Sequence, residues 1–117
     1  MTSIDPIDPL AVVTAFGAAW NAHDVDAAVA LCAADVVFES TAPPDGDRVV
    51  GRDAVRAVWE PIITDATSRF DVEDTIVAGD RVVQCSRYSW DGGHVRLVDV
   101  FRIADGLVVE KRSYVKG

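Results

Sequence analysis

Two spacings of apolar residues divide the chain. After Asp8 and Pro9, a cap followed by proline at the first helical position, Val12, Val13, Phe16, Ala19 and Trp20 recur at helical intervals. "NAHD" interrupts, and Asp24 can cap a second helix carrying Val25, Ala28, Val29 and Cys32. "DVVFES" reads as a short strand, and "TAPPDGD" as a turn-rich loop. Beyond Gly51, "RDAVRAVWEPII" predicts a third helix with Val55, Val58, Trp59 and Ile62 on one stripe, kinked or ended by Pro61. From there the period falls to two. "RFDVEDTIVA", "RVVQCSRYSW", "HVRLVDVFRI" and "LVVEKRSYV" are strands, separated by "GD", "DGG" and "ADG" hairpin signals. Helices first and an antiparallel meander last predict an α+β domain over residues 1–117: a curved antiparallel sheet covered on one face by three N-terminal helices, with a pocket between them.

One residue breaks the alternation. In "HVRLVDVFRI", Val95, Leu97, Phe101 and Ile103 share a face with Asp99, the only polar member. An ionised carboxylate there costs several kcal/mol unless it is paired or the face lines a cavity. An apolar wall disfavours the charged form, which suits a general acid or a shuttle between acid and base. The alternative is a buried aspartate satisfied by a neighbour. The next strand offers one: with a three-residue "ADG" loop Asp99 lies opposite Lys111, and with a two-residue loop opposite Arg112. With Lys111 inside, Leu107, Val109, Ser113 and Val115 share its face. The two accounts differ in outcome. An unpaired Asp99 predicts that Asp99→Asn leaves stability unchanged or raised, the result expected here, whereas a Lys111 partner predicts a loss of a few kcal/mol.

Composition narrows the classes. Half of the 117 residues are hydrophobic, which fits a packed globule. The net charge of −8, from 19 acidic and 11 basic residues, argues against nucleic-acid binding. No apolar run approaches the ~18–20 residues of a membrane span, and "MTSIDPIDP" lacks the features of a secretory signal. Cys32 and Cys85 fall in apolar segments and read as reduced core thiols, so the cytoplasm is the expected compartment. His23 and His94 have no spaced partners, so neither a metal site nor a serine-hydrolase triad is expected. No phosphate loop or dinucleotide motif occurs, and no cofactor is implied.

The order of elements, with "WNAHDVDAAVALCAADVVFES", "VVGRDAVRAVW" and "VDVFRIADGLVVEKRSY", resembles the nuclear transport factor 2-like superfamily, in its branch of SnoaL-like polyketide cyclases and ketosteroid isomerases. The resemblance implies a cone-shaped fold, a pocket in each cone, and dimers through the outer sheet face. It matches Asp99, in "LVDVFR", to the oxyanion-hole aspartic acid of the isomerases. Ser40, preceded by Glu39, stands at the position of their general base, and Phe16 at that of their catalytic tyrosine. It also points the even positions of "RVVQCSRYSW" inward, so Gln84, Ser86 and Tyr88 give the pocket a polar side, with Tyr88 able to donate to a carbonyl.

The expected catalytic set is therefore Asp99, Tyr88 and Lys111, and the expected pocket lining Phe16, Trp20, Ser40, Trp59, Gln84, Ser86, Leu97 and Phe101. Two functions fit. One is a cofactor-free enzyme cyclising or isomerising an apolar polyketide- or steroid-like carbonyl compound. The other is a non-catalytic module that binds a small apolar molecule or dimerises. Limonene-type epoxide hydrolysis wants an arginine two residues from its aspartate, and Asp99 has Leu97 and Phe101 there. A homodimer is expected, because Val98, Val100, Arg102, Val108 and Tyr114 would fall on the outer face.

Overall fold

The computed structural model describes residues 8–117; the "MTSIDPI" stretch weighed above as a signal lies outside them. Helix α1 (Pro9–Asn21) starts where Asp8 accepts a hydrogen bond from the Leu10 N–H, and α2 (Val25–Ala30) where Asp24 accepts from Ala27. Strand β1 (Cys32–Glu39) follows, then the short β2 (Arg48–Val50) and α3 (Arg52–Ile63). Four long strands complete the fold: β3 (Arg69–Ala78), β4 (Arg81–Trp90), β5 (Gly93–Ala104) and β6 (Leu107–Val115). With β1 and β2 they form a six-stranded sheet in the order β2-β1-β6-β5-β4-β3. All neighbours are antiparallel except β1 and β6, which run parallel because the chain passes through β2, α3 and the meander between them. The α+β expectation, a curved sheet with helices on one face, is met.

Details differ where tertiary pairing overrides local pattern. Cys32 opens β1 rather than closing α2, because pairing with Val108 draws it into the sheet. The buried stripe of α3 is Val55, Trp59 and Ile63, one residue in four, and Ile62 stays 39% exposed. That helix runs two residues past Pro61 before ending at Ile63.

The larger correction lies in the last hairpin. Its turn is two residues, Asp105 and Gly106, both with positive φ (53° and 74°), the backbone that suits right-twisted strands. Beyond it Arg102 pairs with Glu110 but Ile103 with Val108, so Val109 is an extra residue on β6. This bulge turns both Val108 and Lys111 inward (0% and 3% exposed). Val108 therefore belongs to the core, not to the outer face, and Leu107 and Val109 do not share the face of Lys111. Asp99 lies opposite Ser113, neither Lys111 nor Arg112, and Lys111 lies opposite Phe101.

The core fills the space between helices and sheet. Phe16, Trp20 and Phe38 surround Trp59 at ring distances of 5.3–5.6 Å in edge-to-face contacts, except that Phe16 and Trp20 meet each other at 5.8 Å. Asn21 fastens α1 to β3: its amide donates to the Phe70 carbonyl (3.0 Å) and its oxygen accepts from the Phe70 N–H (2.8 Å), as a neighbouring strand would.

Candidate functional site

Between α1 and the inner sheet face lies a cavity of about 480 Å³, opening between α1 and β3. Val13, Phe16, Trp20, Phe70 and Phe101 make its apolar wall. The strand register supplies its polar floor. Thr75, Gln84, Asp99 and Ser113 stand in one row across β3, β4, β5 and β6, and Lys111 sits one row away beside Phe101. All except Ser113 line the cavity.

The floor holds a buried ion pair. Asp99 and Lys111 are each 3% exposed, and Lys111 Nζ lies 3.1 Å from Asp99 Oδ1. Ser113 completes the cluster, accepting from Lys111 Nζ at 2.8 Å and donating its hydroxyl proton to the same Asp99 oxygen. Asp99 Oδ1 thus takes two hydrogen bonds, while Oδ2 takes none among the described residues. The ammonium is also ringed by aromatic faces, 5.0 Å from Phe38, 5.6 Å from Trp20 and 5.9 Å from Phe101. Paired, hydrogen-bonded and caged, the two charges are compensated within the fold. This reverses the expectation for Asp99→Asn: the substitution now strands a buried ammonium.

Of the residues expected from sequence, the structure brings Asp99, Lys111, Phe16, Trp20, Gln84 and Phe101 to this cavity. Trp59, fully buried, stands behind the wall against Phe16 and Trp20. Tyr88, Ser86 and Leu97 do share the inner face with Asp99 but do not line the cavity. Tyr88 stacks on Phe70 at 4.5 Å, and Ser86 lies opposite Leu97 one row from Asp99. Ser40 lies elsewhere, its hydroxyl accepting from the Asp47 and Ala42 N–H groups to pin the loop before β2. Sequence reasoning missed Ser113 as a partner and Asn21 at the mouth. A serine four residues after Val109 gives no sign of the bulge that aims it, and an asparagine ending a helix reads as a cap.

Cys32 is buried and free, and its thiol is pushed up to about 12 by burial, against the opposing pull of the Arg52 and Lys111 cations. It is no nucleophile. Among the described residues no cluster of three histidine, cysteine or carboxylate side chains could hold a metal, and no helix is long and apolar enough to cross a membrane.

The SnoaL-like domain family matches residues 13–111. Solved structures give the same fold. A nuclear transport factor 2-like protein of unknown function from Mesorhizobium loti is 39% identical, with a TM-score of 0.86, over 100% of this chain and 98% of that one. A computationally designed 17-OHP binder is 28% identical (TM-score 0.80, 92% of this chain and 91% of the other). A Mycobacterium tuberculosis protein in complex with estradiol-17beta-hemisuccinate is also 28% identical (TM-score 0.78, 91% and 92%). No curated protein matches.

Proposed function

The chain belongs to the SnoaL-like family, with the nuclear transport factor 2-like fold, and from that footing we propose a cofactor-free enzyme acting on a small apolar carbonyl compound. The compound binds between α1 and the sheet, and Asp99 moves a proton at the carbon beside its carbonyl, in a cyclisation or isomerisation. One observation carries this reading: a buried carboxylate on the floor of an otherwise apolar cavity, with one oxygen anchored and the other unengaged among the described residues. Lys111 aims Asp99 through the 3.1 Å contact to Oδ1, so that Oδ2 acts as the base. Gln84, beside Asp99 on β4, and Lys111 are donors within reach of a carbonyl on the same floor.

Cavity size agrees, since sites for small ligands run from about 300 to 1,000 Å³. So do the two relatives at 28% identity, one solved with a steroid ester and the other designed to bind 17-OHP. The outer sheet face, where Val98, Val100 and the 51%-exposed Tyr114 form an apolar stripe, supports a homodimer. Two free cysteines suit the reducing cytoplasm.

A second reading, a non-catalytic binding module, is favoured by the anchoring of Asp99 Oδ1 on both Lys111 and Ser113, which a purely structural pair would also show. One experiment separates them. A panel of apolar ketones is screened by tryptophan fluorescence, and those that bind are followed by NMR for deuterium exchange beside the carbonyl. Exchange that falls about 10²–10⁴-fold in Asp99→Asn, assayed below the melting range of the variant, is the expected result. Saturable binding without exchange establishes the module, and absence of binding removes both.

A further inference from the structure

Lysine is rare in this chain. Lys111 and Lys116 are the only two, and the fold treats them oppositely: Lys116 is exposed, whereas Lys111 is buried on the cavity floor. A primary amine has uses that an arginine lacks, and the nine other basic residues are all arginines. A cation needed only to balance Asp99 would be served as well by a guanidinium. What the site holds instead is a group able to become a nucleophile, beside a carboxylate that can take its proton.

We infer that Lys111 is a covalent site: its amine condenses with an aldehyde or unhindered ketone in the cavity to form an iminium ion, with Asp99 and Ser113 moving the protons. The inference rests on the reading above that the cavity takes carbonyl compounds. The ammonium first passes a proton to Asp99 Oδ1, 3.1 Å away. The free amine attacks the carbonyl carbon, forming a C–N bond as the C=O π pair moves to oxygen. Asp99 returns its proton to that oxygen, giving a hydroxyl. The nitrogen, now protonated, loses one proton to Asp99, directly or through the Ser113 hydroxyl at 2.8 Å. Asp99 then protonates the hydroxyl, which leaves as water while the nitrogen lone pair closes the C=N bond.

Ammonium, ketone and carboxylate have become iminium, water and carboxylate. The site carries one cation and one anion before and after. This balance is the physical reason to expect the chemistry here. The carboxylate and the rings of Phe38, Trp20 and Phe101 that hold an ammonium at 5.0–5.9 Å also suit the iminium that replaces it. The product is an electron sink bonded to the substrate, next to a carboxylate able to remove the adjacent proton.

The test uses 6-methoxy-2-naphthaldehyde with cyanoborohydride, which reduces an iminium to a stable secondary amine, and peptide mapping to locate it. Lys116 and the α-amino group serve as internal controls in the same tube. The expected result is modification of Lys111 at least about tenfold faster than of Lys116, since a bound carbonyl meets an oriented amine. Asp99→Asn should slow labelling of Lys111 about 10²-fold and leave Lys116 unchanged, and Lys111→Met should remove the fast phase alone. Quenching of tryptophan fluorescence measures binding of the aldehyde separately. Saturable binding with adducts only on Lys116 and the α-amino group would overturn the covalent role and leave the proposed function standing. No saturable binding would take down both.

Discussion

Replacing Asp99 by asparagine keeps the shape of the side chain and an acceptor for Lys111 and Ser113, so the loss is that of the negative charge. Two unit charges 3.1 Å apart attract by about 5 kcal/mol at an effective dielectric of 20. The carboxylate also has a desolvation cost that the variant no longer bears. Lys111, however, stays 3% exposed with no carboxylate beside it. Breaking a buried pair from one side costs about 3–5 kcal/mol, and the retained hydrogen bonds place Asp99→Asn near 3. For a domain of this size that is a fall in Tm of about 12 °C, at roughly 4 °C per kcal/mol. The second half of the cycle is the sharper test. Lys111→Met alone leaves an unpaired carboxylate and should also lose about 3 kcal/mol. The double variant buries no charge and fills the aromatic cage with a thioether, so it should return to within about 1 kcal/mol of wild type. Urea unfolding of the four proteins, with m-values compared, measures the coupling. Additive losses, or an Asp99→Asn protein that melts with wild type, would refute the ion pair as the force organising the cavity floor.

Three further outcomes follow from local geometry. At pH 8 a maleimide should reach Cys32 only on unfolding, as mass spectrometry can read, because Cys32 is fully buried with its thiol pushed up to about 12. Gly46 has φ +78° and a Cβ built there would collide with the Ser40 carbonyl, so Gly46→Ala should cost about 1–3 kcal/mol in chemical denaturation, and a neutral result would mean the loop before β2 is free to move aside. The Thr67 hydroxyl and N–H both donate to Asp65 and hold its carboxyl below the usual range. A depressed folded-state value stabilises above the unfolded value and is lost as pH falls through the folded one. Thr67→Val, which keeps the N–H, should raise the Asp65 midpoint seen by NMR and narrow that acid window; an unmoved midpoint would contradict it.

Much of the fold was legible because β4 and β5 pair without a break in register and the strands of the meander lie between clear turn signals. The placement of Asp99 on the inner face needed only the alternation within β5. The partner of Asp99 was not legible, because one extra residue in β6 changes which side chains meet and leaves no mark in the pattern of apolar residues. Val109 looks like any strand valine. Cys32 and Ile62 misled for a related reason: helical spacing places a residue on a stripe but cannot say where a strand or solvent claims it. Ser40 was located by likeness to other proteins, and its hydroxyl serves its own loop.

The extra residue at Val109 also bears on how this molecule tolerates changes of length. Removing Val109 would bring Val108 and Lys111 into ordinary alternation, so both side chains would keep their inward direction and Ser113 would still meet Asp99. Between β5 and β6 a deletion there shifts no phase; it removes a bend. Because bulges bend the strand that carries them, the shortened chain should fold with the same chemistry on a straighter wall. Ligand selectivity would change while the Asp99–Lys111 coupling energy did not.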